Sequence, residues 1–179
     1  IGIVMWVLFG YSLSFAPSGN AFIGDFRWLG LEGVSLTEGY TDDASIPNMV
    51  FSAFQMMFAV ITPALITGAV AGRMKFKSIF VFTIFWSLIV YYPLAHMVWG
   101  QGGLLGADGI GALDFAGGDV VHISSGVSAL VLCILLGKRH DYEHSIYRIH
   151  NIPTVVLGAS LLMFGWFGFN AGSALAADG

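Results

Sequence analysis

Charged side chains are scarce in this sequence. Only 10% of its 179 residues are Asp, Glu, Lys or Arg, whereas ordinary soluble domains carry about 25%. In their place, 56% of the residues are hydrophobic, and the mean hydropathy is +0.80. This composition excludes an ordinary soluble domain and predicts a membrane protein. We predict no nucleic-acid partner.

Cysteine is almost absent too. Cys133 is the single cysteine, so an intrachain disulfide framework is excluded, and the redox compartment cannot be read from cysteine usage. Because Cys133 lies in an apolar run, we expect a buried, unreactive thiol.

The motifs of common enzyme classes are also missing. The sequence contains no Walker motif, no HExxH, no Cys/His metal spacing and no N-glycosylation triplet. The glycine-rich run GQGGLLGADGIG fails the dinucleotide-binding pattern because Leu105 occupies the last required position and no strand precedes it. We therefore predict no metal, no cofactor and no enzymatic activity.

Apolar segments dominate what is present. We predict five membrane-spanning helices, at about 1–16, 49–72, 79–99, 118–137 and 153–176. The last four have the roughly 20 residues that a helix needs to cross the hydrocarbon core. The first is shorter and lacks both an initial Met and a basic leader, so we interpret it as a truncated span and the chain as a fragment. Pro47 suits a helix start, and Pro93 should kink the third span.

The charges that remain are sorted between the two sides of the predicted bundle. If the spans alternate, segments 73–78 and 138–152 share one side, and segments 17–48 and 100–119 share the other. The second side holds a single basic residue, Arg27. The first side holds six, which are Arg73, Lys75, Lys77, Lys138, Arg139 and Arg148. The positive-inside rule then places 73–78 and 138–152 in the cytoplasm and 17–48 and 100–119 outside. We predict a multi-pass protein of the plasma (inner) membrane.

The start of the fourth span combines an acid with a histidine. Asp114 can cap the helix, and His122 follows eight residues deeper, roughly 12 Å along the axis. An ionisable group at that depth usually faces a bundle interior, a cavity or a proton relay. The alternatives are a neutral histidine hydrogen-bonded to a neighbouring helix and an Asp114 that only caps.

Aromatic residues recur at helical spacing. Phe54 and Phe58 are four residues apart, as are Phe169 and Ser173, and Trp99 closes the third span at its outer boundary. Spacing alone favours helix packing for the Phe pair and a lipid anchor for the Trp.

Five motifs together resemble one family. The run DFAGGDVVHISSGVSALVLCILLGKR, at 114–139, resembles the signature of the ammonium transporter family (Amt, Mep and Rh proteins). FQMMFAVITPALITGAVAGRMKF, PLAHMVWG, HNIP and GWFGFNAGS resemble the same family in the same order. The resemblance covers nearly the whole chain and is weakest across 17–47.

The resemblance implies an architecture. Members have an eleven-helix subunit built from two inverted halves, assembled as a homotrimer with one pore per subunit. This chain would correspond to helices two through six, and a PII-type cytoplasmic regulator is a possible partner of the family.

The resemblance also implies residue roles. The family's outer ammonium-binding site corresponds to Phe54, Phe58, Trp99 and Ser173. Phe58 and Phe169 correspond to a stacked pore gate. His122 corresponds to the first of two pore histidines that relay protons, and Asp114 to an acid that supports substrate access.

The implied function is ammonium and ammonia transport, with methylammonium as an analogue. Ammonium would be captured outside and deprotonated, and ammonia would pass along the histidine. Three alternatives stay open: a haem-carrying membrane enzyme, an ammonium sensor on the same scaffold, and a neutral gas channel. The first normally needs pairs of intramembrane histidines, whereas only His122 lies deep in a predicted span.

Overall fold

The fold is entirely helical in the part of the chain that the structure describes. This computed structural model describes residues 1–17, 20–107, 109–144, 146 and 149–176. Within those ranges the nearest approach to sheet is an isolated bridge between Gly39 and Pro47. The predicted all-α class is confirmed.

Five apolar helices run through the structure. They are α1 (Gly2–Phe15), α2 (Asn48–Val70), α3 (Phe76–Trp99), α4 (Gly118–Leu136) and α5 (Ile152–Gly172). Helices α2 to α5 have the length and hydropathy of membrane spans, and α1 is shorter. Pro47 directly precedes α2, as predicted for a helix start. Helix α5 ends at Gly172, four residues before the predicted end.

The helices alternate in direction, so their ends form two groups. We call the end that carries segments 20–47 and 100–117 the acidic end, and the end that carries 71–75 and 137–144 the basic end. Helix α2 packs against α4, and α1 packs against the half of α3 nearest the acidic end. A Cβ atom on Gly10 would lie 2.7 Å from the Tyr92 ring, so the approach of α1 to α3 requires glycine there.

Helix α5 lies at the side of this group. None of its residues is buried. Its ring contacts with the other helices come from Trp166 and Phe169, near the acidic end. These contacts place the last two turns of α5 beside α2 and α4.

Three of the helices contain a wide π-helical turn, at Trp6–Gly10, Ser87–Tyr91 and Gly118–Ile123. The second directly precedes the turn that contains Pro93, where the sequence predicts a kink. In the third, the backbone N–H of His122 donates to Gly117 O at 2.9 Å, five residues back. Such turns add a residue to the ladder and rotate the side chains that follow.

The acidic-end loops close the end of α1. The last four carbonyls of a helix lack intrahelical donors, and here each has a partner. The donors of Ser12 O and Leu13 O are the backbone N–H groups of Ala16 and Gly24. The partners of Ser14 O and Phe15 O are the His96 ring and the Tyr40 hydroxyl. His96 is fully buried, and its other ring nitrogen lies 2.9 Å from Asn20 O.

Tyr40 holds the loop to the helices and predicts an alkaline instability. Its hydroxyl donates to Phe15 O at 3.0 Å, and its ring stacks on Phe51 with centroids 4.7 Å apart. Burial raises the pKa of Tyr40 from 10.0 to about 12. The unfolded chain therefore loses this proton first, so the stability from Tyr40 is present below pH 10 and is lost as pH rises toward 12.

We expect Tyr40→Phe to lower the free energy of unfolding by about 1 kcal/mol at neutral pH, because Phe15 O loses its donor. The variant should also lose less stability than the wild type between about pH 8 and about pH 11. Thermal unfolding of the full-length protein in detergent at both pH values measures this. Parallel losses in the two proteins would contradict the role given to Tyr40.

Candidate functional site

A pocket of about 330 Å³ opens at the acidic end. It gathers the four residues that the resemblance assigns to ammonium binding, together with Asp114. Its described lining is Tyr40, Thr41, Ala44, Ile46, Phe51, Phe54, Gln55, Phe58, Trp99, Asp114, Phe115, Ser173 and Leu175. None of these is basic, so no fixed positive charge in the described lining would repel a cation.

Phe58 lies at the centre of the aromatic part of the pocket. Its ring centroid lies 5.0 Å from that of Phe54 and 5.6 Å from that of Trp99, and both pairs are edge-to-face. Phe58 is 1% exposed. The three rings therefore form a packed aromatic wall of the pocket, with Phe58 behind the other two.

Trp99 is oriented by a single hydrogen bond. Its indole N–H donates to the backbone oxygen of Asp114 at 3.0 Å. Because indole has no other donor, its N–H is already engaged, and only the ring is left to contact a bound cation.

The side chain of Asp114 caps helix α4. One carboxylate oxygen accepts from the N–H groups of Gly117 and Gly118 at 2.6 and 2.8 Å. The other accepts from Asp119 and Val120 at 2.8 and 2.9 Å. The capping role predicted for Asp114 is confirmed. A carboxylate has about four lone-pair sites, and these four donors occupy them, so Asp114 is not left with a free acceptor for direct contact with a substrate.

Two other side chains supply acceptors to the pocket. Ser173 donates its hydroxyl proton to Phe169 O at 2.8 Å, which leaves the hydroxyl lone pairs as acceptors. Gln55 is 6% exposed, and its side-chain oxygen has no partner among the described residues. The pocket therefore presents neutral oxygen acceptors beside aromatic rings.

Phe58, which lines this pocket, contacts Phe169, which lines a second one. Their ring centroids lie 4.3 Å apart. The second pocket, of about 340 Å³, is lined on the Phe169 side by Trp166 and His122, and Asp114 reaches both. The Phe58–Phe169 contact therefore links the wall of the first pocket, which we call the outer pocket, to the wall of the pocket that contains the histidine, and Asp114 and Phe115 line both.

His122 lies on the last part of the π-helical turn of α4. Its ring stacks on Trp166, with centroids 5.7 Å apart and planes 16° apart. Its side chain is exposed among the five helices described here and lines the second pocket, so the predicted role of His122 as a pore proton relay stays a prediction. Helix α5 reaches α4 here through one ring, which covers a single face of the imidazole.

The sequence reasoning missed Gln55 and Trp166. Gln55 follows Phe54 directly, and a large amide inside an apolar span was a usable signal because its burial demands a partner. Trp166 precedes Phe169 by three residues, which places both on one helix face. Tyr40 lies in the segment where the motifs are weakest, so no pattern marked it.

A sequence model of the Ammonium Transporter Family matches residues 1–179. The chain belongs to the ammonium transporter family. An ammonium transporter of Bacillus subtilis is 54% identical over 176 residues, which cover 98% of this chain and 42% of that protein. The predicted resemblance is confirmed, and the family is one of transporters, in line with the predicted absence of enzymatic activity.

Solved structures of ammonium transporters share the fold. Mep2 of Saccharomyces cerevisiae superposes with a TM-score of 0.85 at 39% identity, over 98% of this chain and 39% of that one. A structure described as a sensor Amt protein superposes with a TM-score of 0.79 at 33% identity, over 99% and 44%. The chain thus spans about two fifths of the length of these family members.

Proposed function

We propose that the protein moves ammonium nitrogen across a membrane by capturing ammonium in the outer pocket and conducting ammonia past the Phe58–Phe169 pair to His122. One observation carries this proposal. Phe54, Phe58, Trp99 and Ser173, which lie on three different helices or their ends, line one pocket whose described lining contains no basic side chain.

Ring faces give the pocket affinity for a cation. A cation over an aromatic ring gains about 0.5–2 kcal/mol, more when it is desolvated. Trp99 and Phe54 are available for two such contacts, and the engaged N–H of Trp99 adds no competing hydrogen bond. The affinity from these contacts is modest, which suits a site that must release its substrate.

Oxygen acceptors add recognition of N–H groups. Ammonium has four donors, and two of them can be received by the lone pairs of Ser173 and by the Gln55 oxygen, which has no partner in the part of the chain that the structure describes. Asp114 then supports access of the cation through its charge and through its hold on Trp99, rather than as a ligand.

The ring pair sets what can pass. Moving a bare ion into a low-dielectric interior costs tens of kcal/mol in the Born limit, and the contacts above cannot offset that between two Phe rings. Neutral ammonia loses only a few hydrogen bonds to water, and one hydrogen bond to a partner such as His122 offsets that loss. We propose that ammonium gives up its proton to water in the outer pocket and that neutral ammonia passes the rings. Beyond them it is reprotonated, with His122 as the group that accepts and donates protons. Na⁺ and K⁺ are excluded because they have no proton to release.

Orientation and assembly follow the same proposal. We propose that the protein lies in a plasma (inner) membrane with its basic end on the cytoplasmic side and the outer pocket outside, and the excess of Lys and Arg at the basic end supports this orientation. We propose a homotrimer that contains a second histidine from a further helix, with a PII-type protein as the regulatory partner.

An ammonium sensor is the second candidate, because a sensor Amt protein shares this fold. A sensor could use the same pocket without net transport. A neutral gas channel has no use for the acceptors beside Trp99. Uptake of methylammonium by the full-length protein in proteoliposomes separates transport from sensing.

We expect Trp99→Leu in the full-length protein to raise the methylammonium KM by roughly 5- to 30-fold, since one cation–π contact of about 1–2 kcal/mol is lost. Expression and thermal stability should change little. Trp28→Leu, which removes an indole at the same end but outside the pocket, is the control. If Trp99→Leu fails to reach the membrane while Trp28→Leu inserts, Trp99 is a lipid anchor or packing residue, and the outer site as proposed is wrong.

A further inference from the structure

Leu175 lines the outer pocket in an unusual backbone conformation. Its φ is +54°, in the left-handed region that leucine seldom adopts. Leu175 comes two residues after Ser173, beyond the end of α5. Strained residues of this kind persist only where the surrounding structure holds them, and they cluster at binding sites. The proposed capture of ammonium makes no use of Leu175.

Two hydrogen bonds hold the backbone of Leu175. Its N–H donates to Gly172 O at 3.0 Å, which closes a turn at the end of α5. Its carbonyl oxygen accepts from the Ser45 hydroxyl at 3.1 Å. Ser45 belongs to the loop that precedes α2, so this bond joins two segments that are 130 residues apart in the sequence. Because the backbone is fixed from both sides, Leu175 cannot easily move away from a ligand.

The bond from Ser45 also brings three aliphatic side chains together at the pocket. Ala44 and Ile46 flank Ser45 in the sequence, and both line the pocket with Leu175. All three are half-buried, and Ile46 and Leu175 pack against the buried core. The lining therefore combines aromatic rings and oxygen acceptors with an aliphatic group of Ala44, Ile46 and Leu175, which we call the aliphatic rim.

Selection by size in this pocket has to come from side chains close to the acceptors. The pocket volume is about 330 Å³, whereas a molecule of the size of water or ammonium takes up roughly 30 Å³. Total volume therefore does not reject an ammonium ion that carries an alkyl group. Ser173 is a proposed acceptor of ammonium N–H groups, and Leu175 is the member of the aliphatic rim that lies two residues from it in the chain.

We propose that Leu175 is a specificity-determining residue of the outer pocket, which admits ammonium at Ser173 and rejects ammonium ions with longer alkyl groups, such as ethylammonium. The inference rests on the proposed capture of ammonium and deepens it. A side chain on a fixed backbone does not make room for added methylene groups without strain. In a tight site, one methylene group changes affinity by about 10- to 200-fold.

The test measures cation binding to the full-length protein in detergent by isothermal titration calorimetry, so it does not require transport. The probes are ammonium chloride and ethylammonium chloride, and the ratio of their Kd values is compared between variants. Leu175→Ala and Leu175→Gly both remove the bulk of the side chain. Leu36→Ala is the matched control, because Leu36 lies at the same end, is 72% exposed and is outside the described lining of the pocket.

We expect the wild type to bind ethylammonium at least about 10-fold more weakly than ammonium, and both Leu175 variants to reduce that ratio by about 10-fold. The Kd for ammonium itself should change much less, and Leu36→Ala should leave both Kd values unchanged. Thermal unfolding separates the side chain from the backbone. Leu175→Gly should unfold at a higher temperature than Leu175→Ala, because glycine adopts a positive φ without strain, whereas the two variants should bind alike.

Four other results would each contradict a specific claim. A wild type that binds both cations equally, or Leu175 variants that keep the wild-type ratio, would overturn the role of Leu175 while leaving the proposed capture of ammonium intact. Equal weakening of both cations would mean that Leu175 only holds the pocket together. A changed ratio in Leu175→Gly alone would assign selectivity to the backbone. A wild type that binds no ammonium would contradict the proposed function itself.

Discussion

His122→Leu in the full-length protein is expected to abolish methylammonium uptake while leaving the protein folded. The described side-chain contact of His122 is stacking on Trp166, and a leucine of similar size can pack on the same ring, so little packing is lost. It does remove the polar partner for ammonia beyond the Phe58–Phe169 pair. We expect a loss of at least about 100-fold, in the range that a positioned acid–base group contributes.

The measurement is uptake and current on reconstituted protein, with oligomer content checked in parallel. His140→Leu, which removes an exposed histidine at the basic end, is the matched control and should transport normally. His122→Asp should keep proton exchange but add a negative charge. We therefore expect this variant to conduct a K⁺ current. Wild-type transport by folded His122→Leu would remove this residue from the mechanism.

Asp114→Ala is expected to lower the free energy of unfolding by about 2–4 kcal/mol, because four backbone N–H groups of α4 lose a charged acceptor at once. Transport should fall more steeply than stability alone explains. The N-terminal turn of α4 carries His122, and the Asp114 backbone holds the Trp99 indole. Loss of the cap therefore disturbs both sides of the ring pair.

A matched control separates capping from charge. Asp119 lies in the first turn of α4, whereas Asp114 precedes the helix. Asp119→Asn removes the Asp119 carboxylate and should lower the free energy of unfolding by less than about 1 kcal/mol. Asp114→Asn keeps one acceptor oxygen and should lie between Asp114→Ala and wild type in thermal unfolding. If Asp119→Asn is as damaging as Asp114→Ala, the local charge and not the cap holds this helix.

Much of the fold could be predicted from the sequence, since membrane spans are set by long-range hydropathy. Three helix boundaries follow from the local chemistry of one residue each. They are the start of α2 directly after Pro47, the end of α3 at Trp99 and the cap of α4 by Asp114. The pocket residues came from the family resemblance, because spacing along single helices does not reveal which helices meet.

The parts that could not be predicted depend on contacts between helices. The contact of Trp166 on α5 with His122 on α4 is one of these, and hydropathy carries no information on which helices meet. The π-helical turns add one residue to a ladder without any residue type that marks them. Gln55 is visible as a polar residue in a span, but its unsatisfied oxygen appears only once its neighbours are in place.

The closure of α1 has a consequence for biogenesis. Two of its terminal carbonyls have partners that are synthesised later than the helix itself. The partner of Ser14 O is His96, 82 residues further on, and the partner of Phe15 O is Tyr40, 25 residues further on. Chains emerge at about 5–20 residues per second, so the end of α1 stays hydrated for seconds until α3 has inserted and paired with it. Tyr40, which lines the outer pocket, is therefore held in place only after its loop has packed on the end of α1. The Gly24 amide donates to Leu13 O in this closure. The onset of slow hydrogen exchange at that amide would mark the moment at which the end of α1 closes in a newly made protein.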